Sequence, residues 1–287
     1  MPRMTHEVAY ALGAMVCFGL TDFVYKRAAS AGVPSHRFLM VQTWLYAPAI
    51  TAYALATGAL ALGPAAWWGA LIGAFVFTGL YQFSLSLRSG SISINAPIFR
   101  LSFTVTAALA VWLLDEPLGA RKLAGLGLAL AAVWLLLGAG DIAGEARRES
   151  RASLAQVLIA TAAIGIANLL YKFGLRAGAT PATLLVAQAA AFLPLATGFS
   201  TLVDRAVRPS AAVWPYAAAT AALFAVGFVL LVEGLASGQA SVLVPIAQMG
   251  FVVTATLGFA LHGERCTPRK AAGLAVALAA LACLALS

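Results

Sequence analysis

Charge is what this sequence has least of. Only 10% of its 287 residues are Asp, Glu, Lys or Arg, against roughly 25% in an ordinary soluble domain, and that shortage excludes a soluble enzyme with a solvated surface. Cysteine is scarce as well. The three present, Cys17, Cys266 and Cys283, are odd in number and lack CxxC or Cys/His spacing, so neither a disulfide framework nor a zinc site is supported. The nucleotide-cradling pattern GxxxxGK[ST] is absent, as are HExxH and GxSxG, which leaves no sequence basis for ATP-driven work, zinc hydrolysis or a serine nucleophile. His6, His36 and His262 fall at helix ends or in loops, and no cofactor is expected.

Apolar residues fill the space that charge vacates, at 62% of the chain. A membrane-spanning helix takes about 20 such residues, so ten helices would use roughly 200 positions and leave only short connections. Ten apolar runs can be read, over residues 8–28, 37–57, 66–87, 91–114, 120–139, 153–174, 182–203, 212–235, 239–261 and 268–286. Lipid offers no hydrogen-bond partners, so each run is expected to be a helix. The first run exceeds a signal-peptide core of ~7–15 residues and is read as the first span. The net charge of +8 is scattered in small basic groups between the runs, which fits lipid headgroups and argues against nucleic acid.

The longest polar stretch, residues 140–152, lies near the middle and divides the chain into 8–139 and 153–286. A shift of 146 residues superposes Gly19 on Gly165, Tyr25-Lys26 on Tyr171-Lys172, Gly32 on Gly178, Gln42 on Gln188 and Pro48 on Pro194. A shift of 148 then matches Ser93 to Ser241, Pro97 to Pro245, Phe103 to Phe251, Glu116 to Glu264, Arg121-Lys122 to Arg269-Lys270 and Gly125 to Gly273. Each part holds five runs, and five is odd. The fold class expected is therefore an all-α polytopic membrane protein with ten transmembrane helices as two inverted five-helix repeats, with a site near the midplane between them.

Two tandem five-helix units, each with a Glu after its fourth helix and with basic residues and a Gly opening its fifth, resemble the EamA repeat of the drug/metabolite transporter superfamily. The matching residues are Glu116, Lys122 and Gly125, then Glu264, Lys270 and Gly273. The resemblance covers about residues 8–286. It implies a small-molecule transporter with a cavity lined mainly by the third and fourth helices of each half, and it says almost nothing about the solute.

Polar groups inside apolar runs are the candidates for contact with that solute. Arg100 lies about nine residues into the fourth run, roughly 13 Å deep at ~1.5 Å per residue. It reads either as a clamp for an anion or carboxylate or as a structural tie to carbonyls or an acid. Its counterpart is Gln248. Tyr81 and Gln82 in the third run, Asn95 in the fourth and Glu233 near the end of the eighth complete the expected substrate-binding set. Asp22 and Glu233 are the candidates for carrying a coupling proton. Asp22 also stands four residues before Lys26, the favourable order for a local ion pair, where the second half has Asn168 and Lys172.

Lys26 and Lys172 read as snorkelling anchors, and Gln42 and Gln188 as interhelical hydrogen-bonding residues or solute contacts. Pro48 and Pro194 read as kinks. Glu116-Pro117 and Thr267-Pro268 read as helix starts. Gly69 and Gly73 form a GxxxG step that serves internal packing as readily as dimerisation, so a monomer and a homodimer both fit.

Loop parity puts twelve basic residues on the side opposite the termini and five on the side of the termini. That imbalance points to termini outside the cell, whereas the family resemblance implies termini inside. The function expected is secondary transport, with export first, of a small polar or amphipathic metabolite across the cytoplasmic membrane. An importer or exchanger of the same fold, or an intramembrane enzyme, are the alternatives.

Overall fold

A computed structural model describes residues 2–61, 63–89, 92–137, 151–205, 207, 209–262 and 267–287. Twelve α-helices, with one 3₁₀ turn over Pro64–Ala66, make up the described residues, and no strand occurs among them. In chain order they are α1 (Pro2–Ser30), α2 (Ser35–Ala56), α3 (Trp67–Ser89), α4 (Ile92–Arg100), α5 (Ser102–Leu114), α6 (Ala120–Leu137), α7 (Arg151–Arg176), α8 (Pro181–Asp204), α9 (Val213–Ser237), α10 (Ala240–Gln248), α11 (Phe251–His262) and α12 (Pro268–Ala285). Eight helical segments are long and apolar enough to cross a bilayer. The linker stretch lies almost wholly outside the described residues, as do Glu264 and Cys266.

Two of the apolar runs are not single helices. The fourth breaks at Leu101, between α4 and α5, and the ninth at Met249-Gly250, between α10 and α11. Both breaks carry one hydrogen-bond pattern. Leu101 N–H bonds Ile98 O at 3.0 Å and Thr104 N–H bonds Leu101 O at 2.9 Å, while Met249 N–H bonds Ile246 O at 3.1 Å and Val252 N–H bonds Met249 O at 2.9 Å. These are tightened three-residue steps of the 3₁₀ kind. Each broken run carries a proline one turn before its break, Pro97 or Pro245, but the bond a proline withholds is the one to the carbonyl four residues before it in the chain, so the loss falls on the turn before the proline and not on the break. Pro48 and Pro194, expected as kinks, sit inside unbroken helices. A proline is therefore not sufficient for a break.

Chain segments before and after the linker are interleaved. The extensive contacts are α3 with α7 and α8, α1 with α9, α10 and α11, α2 with α8 and α9, α5 with α7 and α10, and α6 with α12. All of them join the first stretch to the second. Small residues permit the closest approaches, as expected where lipid supplies no squeezing force between helices. A Cβ placed on Gly19 would lie 2.4 Å from Gly250 O and 2.6 Å from Val253, and one on Gly165 would lie 2.6 Å from Val105 and 3.0 Å from Ser102 O. At the same two places Thr254 donates to Gly19 O at 2.8 Å and Thr106 donates to Gly165 O at 3.0 Å. Gly69 and Gly73 pack against the α8 backbone at Leu184 and Gln188, so the GxxxG step serves the interior.

Candidate functional site

The central cavity, of about 140 Å³, lies where α1 to α4 meet α7 to α10. Its walls pair up under the sequence offsets. Phe18 and Ile164, Asp22 and Asn168, Gln42 and Gln188, Tyr46 and Phe192, Leu80 and Phe228, and Arg100 and Gln248 all line it. Helices α1, α2, α7 and α8 supply the larger share of the lining, so the expectation that the third and fourth helices of each half dominate is corrected. The reason is the interleaving of the two stretches, which turns the first two helices of each toward the seam.

Arg100 ends α4 at the break and pairs with Asp22 of α1, through Arg100 Nη2 and Asp22 Oδ2. Asp22 has thus found its cation 78 residues away. Its four-residue neighbour Lys26 has a side chain outside the described set. Gln248, the Arg100 counterpart, also lines the cavity. Tyr25 donates to Gln42 Oε1 at 2.5 Å, and Tyr171 donates to Gln188 Oε1 in the matching position. Both bonds are interhelical, the first of the two roles expected of these glutamines, and both residues line the cavity. Aromatic rings cover much of the remaining wall: Phe18 and Phe228 approach to 5.2 Å between centroids, and Phe224 and Phe228 to 5.4 Å. Tyr171 had been visible in the sequence only as a repeat marker.

The other expected site residues lie elsewhere. Tyr81 stacks on Phe77 and lines a small separate hollow with His36 and Ser84. Gln82 of α3 is half-buried and not part of the central lining. Asn95 is buried, and its Nδ2 donates to Ser86 O at 3.1 Å and to Ser153 Oγ at 2.8 Å. It therefore ties α4 to α3 and α7. Glu233 accepts a long 3.5 Å hydrogen bond from Tyr53 and does not line the central cavity. Among the six substrate-binding candidates, the structure brings Arg100 and Gln248 together in the cavity, with Asp22 from the proton-carrying pair.

A second cluster closes the seam beyond the α5 end. Glu116 does not cap its own helix. Its carboxylate takes Ala240 N–H at 2.8 Å and Ser241 N–H at 2.9 Å, the open donors at the start of α10, where a helix terminus favours negative charge. Lys122 donates to Pro117 O, Gln239 Oε1 and Ser241 Oγ at 2.7 to 2.8 Å. Lys172 is not a snorkelling anchor. It is 9% exposed and donates to Leu235 O at 2.6 Å and Gly238 O at 2.5 Å, the last carbonyls of α9. Thr267 does cap α12, accepting from Lys270 N–H at 3.3 Å. Nothing in the sequence linked Lys172 to the end of α9, and only the packed fold brings the two together.

Residues 6–138 match the EamA-like transporter family. Twenty-nine chains among solved structures match in fold. One of them, a crystal structure described only as that of a protein, covers 97% of this chain and 96% of its own at 16% identity and a TM-score of 0.79. At that identity the likeness speaks for the fold alone. No curated protein matches.

Proposed function

We propose, from the match of residues 6–138 of this multi-pass membrane protein to the EamA-like transporter family, that the chain is a secondary exporter. It carries a small polar or amphipathic metabolite out across the cytoplasmic membrane by alternating access. The moving parts are two inverted five-helix repeats, 8–139 and 153–286, and the solute sits in the cavity along their seam. The observation that carries this reading is the cavity lining itself. Its residues pair across the offsets of the sequence repeat, yet its one ion pair, Asp22 with Arg100, stands on one side only. Equivalent backbones give two ways to pack the seam, as repeat-based carriers require, and the unpaired chemistry gives the solute an orientation. With no nucleotide-cradling loop, the energy comes from a gradient or from an exchanged solute.

Two measurements test the proposal. A thermal-shift screen of amino acids, sugars, nucleosides and organic cations identifies a ligand, and flux of that ligand in proteoliposomes is expected to fall to background in Arg100→Ala. Undiminished flux removes Arg100 from the site. Single cysteines at Gly58 and Arg205, introduced into a cysteine-free background, are expected to label from opposite faces of the membrane. Labelling from one face discards the inverted arrangement.

A further inference from the structure

Among the described residues, three polar atoms of the cavity-lining side chains have no hydrogen-bond partner: Nε2 of Gln42, Nδ2 of Asn168 and Oη of Tyr46. Their residues are 4%, 4% and 7% exposed. A buried polar group left without a partner is costly, and native interiors keep few of them. Here all three belong to residues that line one cavity. Gln42 owes its arrangement to Tyr25, whose hydroxyl occupies the amide oxygen at 2.5 Å and leaves the NH₂ without a partner. What this wall lacks is therefore acceptors. The charges do not fill that need, because Asp22, the acid in the lining, is engaged with Arg100, and the pair leaves the cavity formally neutral. Around these donors the surface is apolar, with Phe18, Phe224 and Phe228 in mutual contact.

We propose that Gln42, Tyr46 and Asn168 are specificity-determining donors, and that they receive a carboxylate carried on an apolar body. A carboxylate offers two oxygens with about four acceptor positions and no donor, and hydrogen bonds to an ionised acceptor are about twice as strong as neutral ones. An ammonium headgroup would meet these amide groups donor to donor. The assignment rests on reading this cavity as the solute site. It differs from an arginine clamp in placing recognition on neutral groups, with Arg100 held by Asp22.

The test uses the full chain in lipid nanodiscs, titrated calorimetrically with phenylacetate and with phenethylamine, which share a ring and differ in headgroup. Wild-type protein is expected to bind phenylacetate more tightly. Tyr46→Phe removes one hydroxyl and keeps the ring, and Asn168→Leu removes the amide at nearly constant volume. Each is expected to weaken phenylacetate roughly tenfold, the loss of one hydrogen bond to a charged group, and to leave phenethylamine binding unchanged. Unaltered phenylacetate binding in a folded variant, equal loss for both probes, or a wild type that does not bind phenylacetate overturns the assignment. Tyr46→Phe, a single-atom change, keeps the test decisive should Asn168→Leu fail to fold. Counterflow in proteoliposomes separates the two levels. The expected binding pattern without any flux sinks the transport reading and spares the donors. Phenylacetate flux that both variants leave untouched sinks the donors and spares transport.

Discussion

Asn168 and Gln248 stand in the second half where Asp22 and Arg100 stand in the first, and all four line one cavity. Three packing contacts recur in both halves. Gly19 accepts from Thr254 as Gly165 accepts from Thr106, Tyr25 holds Gln42 as Tyr171 holds Gln188, and Gly125 meets Leu284 as Gly273 meets Leu136. The difference teaches that contacts which build the scaffold occur twice, whereas the charges in the cavity occur once. A group needed for packing is needed on both sides of the seam. A group that touches an asymmetric solute is needed on one.

The largest expected effect comes from breaking the asymmetric pair. Arg100→Ala leaves Asp22 without its partner, and losing one member of a buried pair costs ~3–5 kcal/mol. The side chains keep 21% and 26% exposure, so the lower end of that range is expected, read as a fall in melting temperature in detergent. Next comes the shared scaffold. Gly19→Ala and Gly165→Ala should each cost ~1–3 kcal/mol by overpacking, with Gly19 the worse because its new methyl would face a backbone oxygen at 2.4 Å. A tolerated Gly19→Ala would show that α1 does not sit so close to Gly250. Smaller still, Tyr25→Phe and Tyr171→Phe each remove one hydrogen bond, worth ~1 kcal/mol. Comparable losses sharpen the equivalence of the two halves, and a loss in only one of them breaks it. Least disturbing to stability is the double change Asp22→Asn with Arg100→Gln, which gives the first half the residues of the second. It should melt within ~1 kcal/mol of wild type while altering ligand binding, because replacing a buried pair by neutral groups is often nearly free. Strong destabilisation would make the pair structural.

Sequence reading reached the helices and their periodicity, because apolar runs long enough to cross lipid have one way to satisfy their backbones. It also reached Arg100, Asp22 and Gln248, since charge or amide within such a run must face something polar. It missed the breaks at Leu101 and Met249, because Pro97 and Pro245 look the same in sequence as Pro48 and Pro194, which sit in unbroken helices. Asn95 and Glu233 looked like solute contacts for the same reason as Arg100, yet Asn95 is spent on Ser86 and Ser153, and nothing local to it announced those partners. Glu116 illustrates the limit. Its carboxylate was placed at a helix start, and the helix it starts lies 124 residues on.

The crosswise contacts carry a consequence for assembly. Since α1 lies against α9 and α10, and α3 against α7 and α8, a polypeptide cut at the linker would yield two fragments, each with its main packing faces bare. Neither fragment has a core of its own to close. The faces left bare on one fragment are the ones that the other fragment covers in the intact chain.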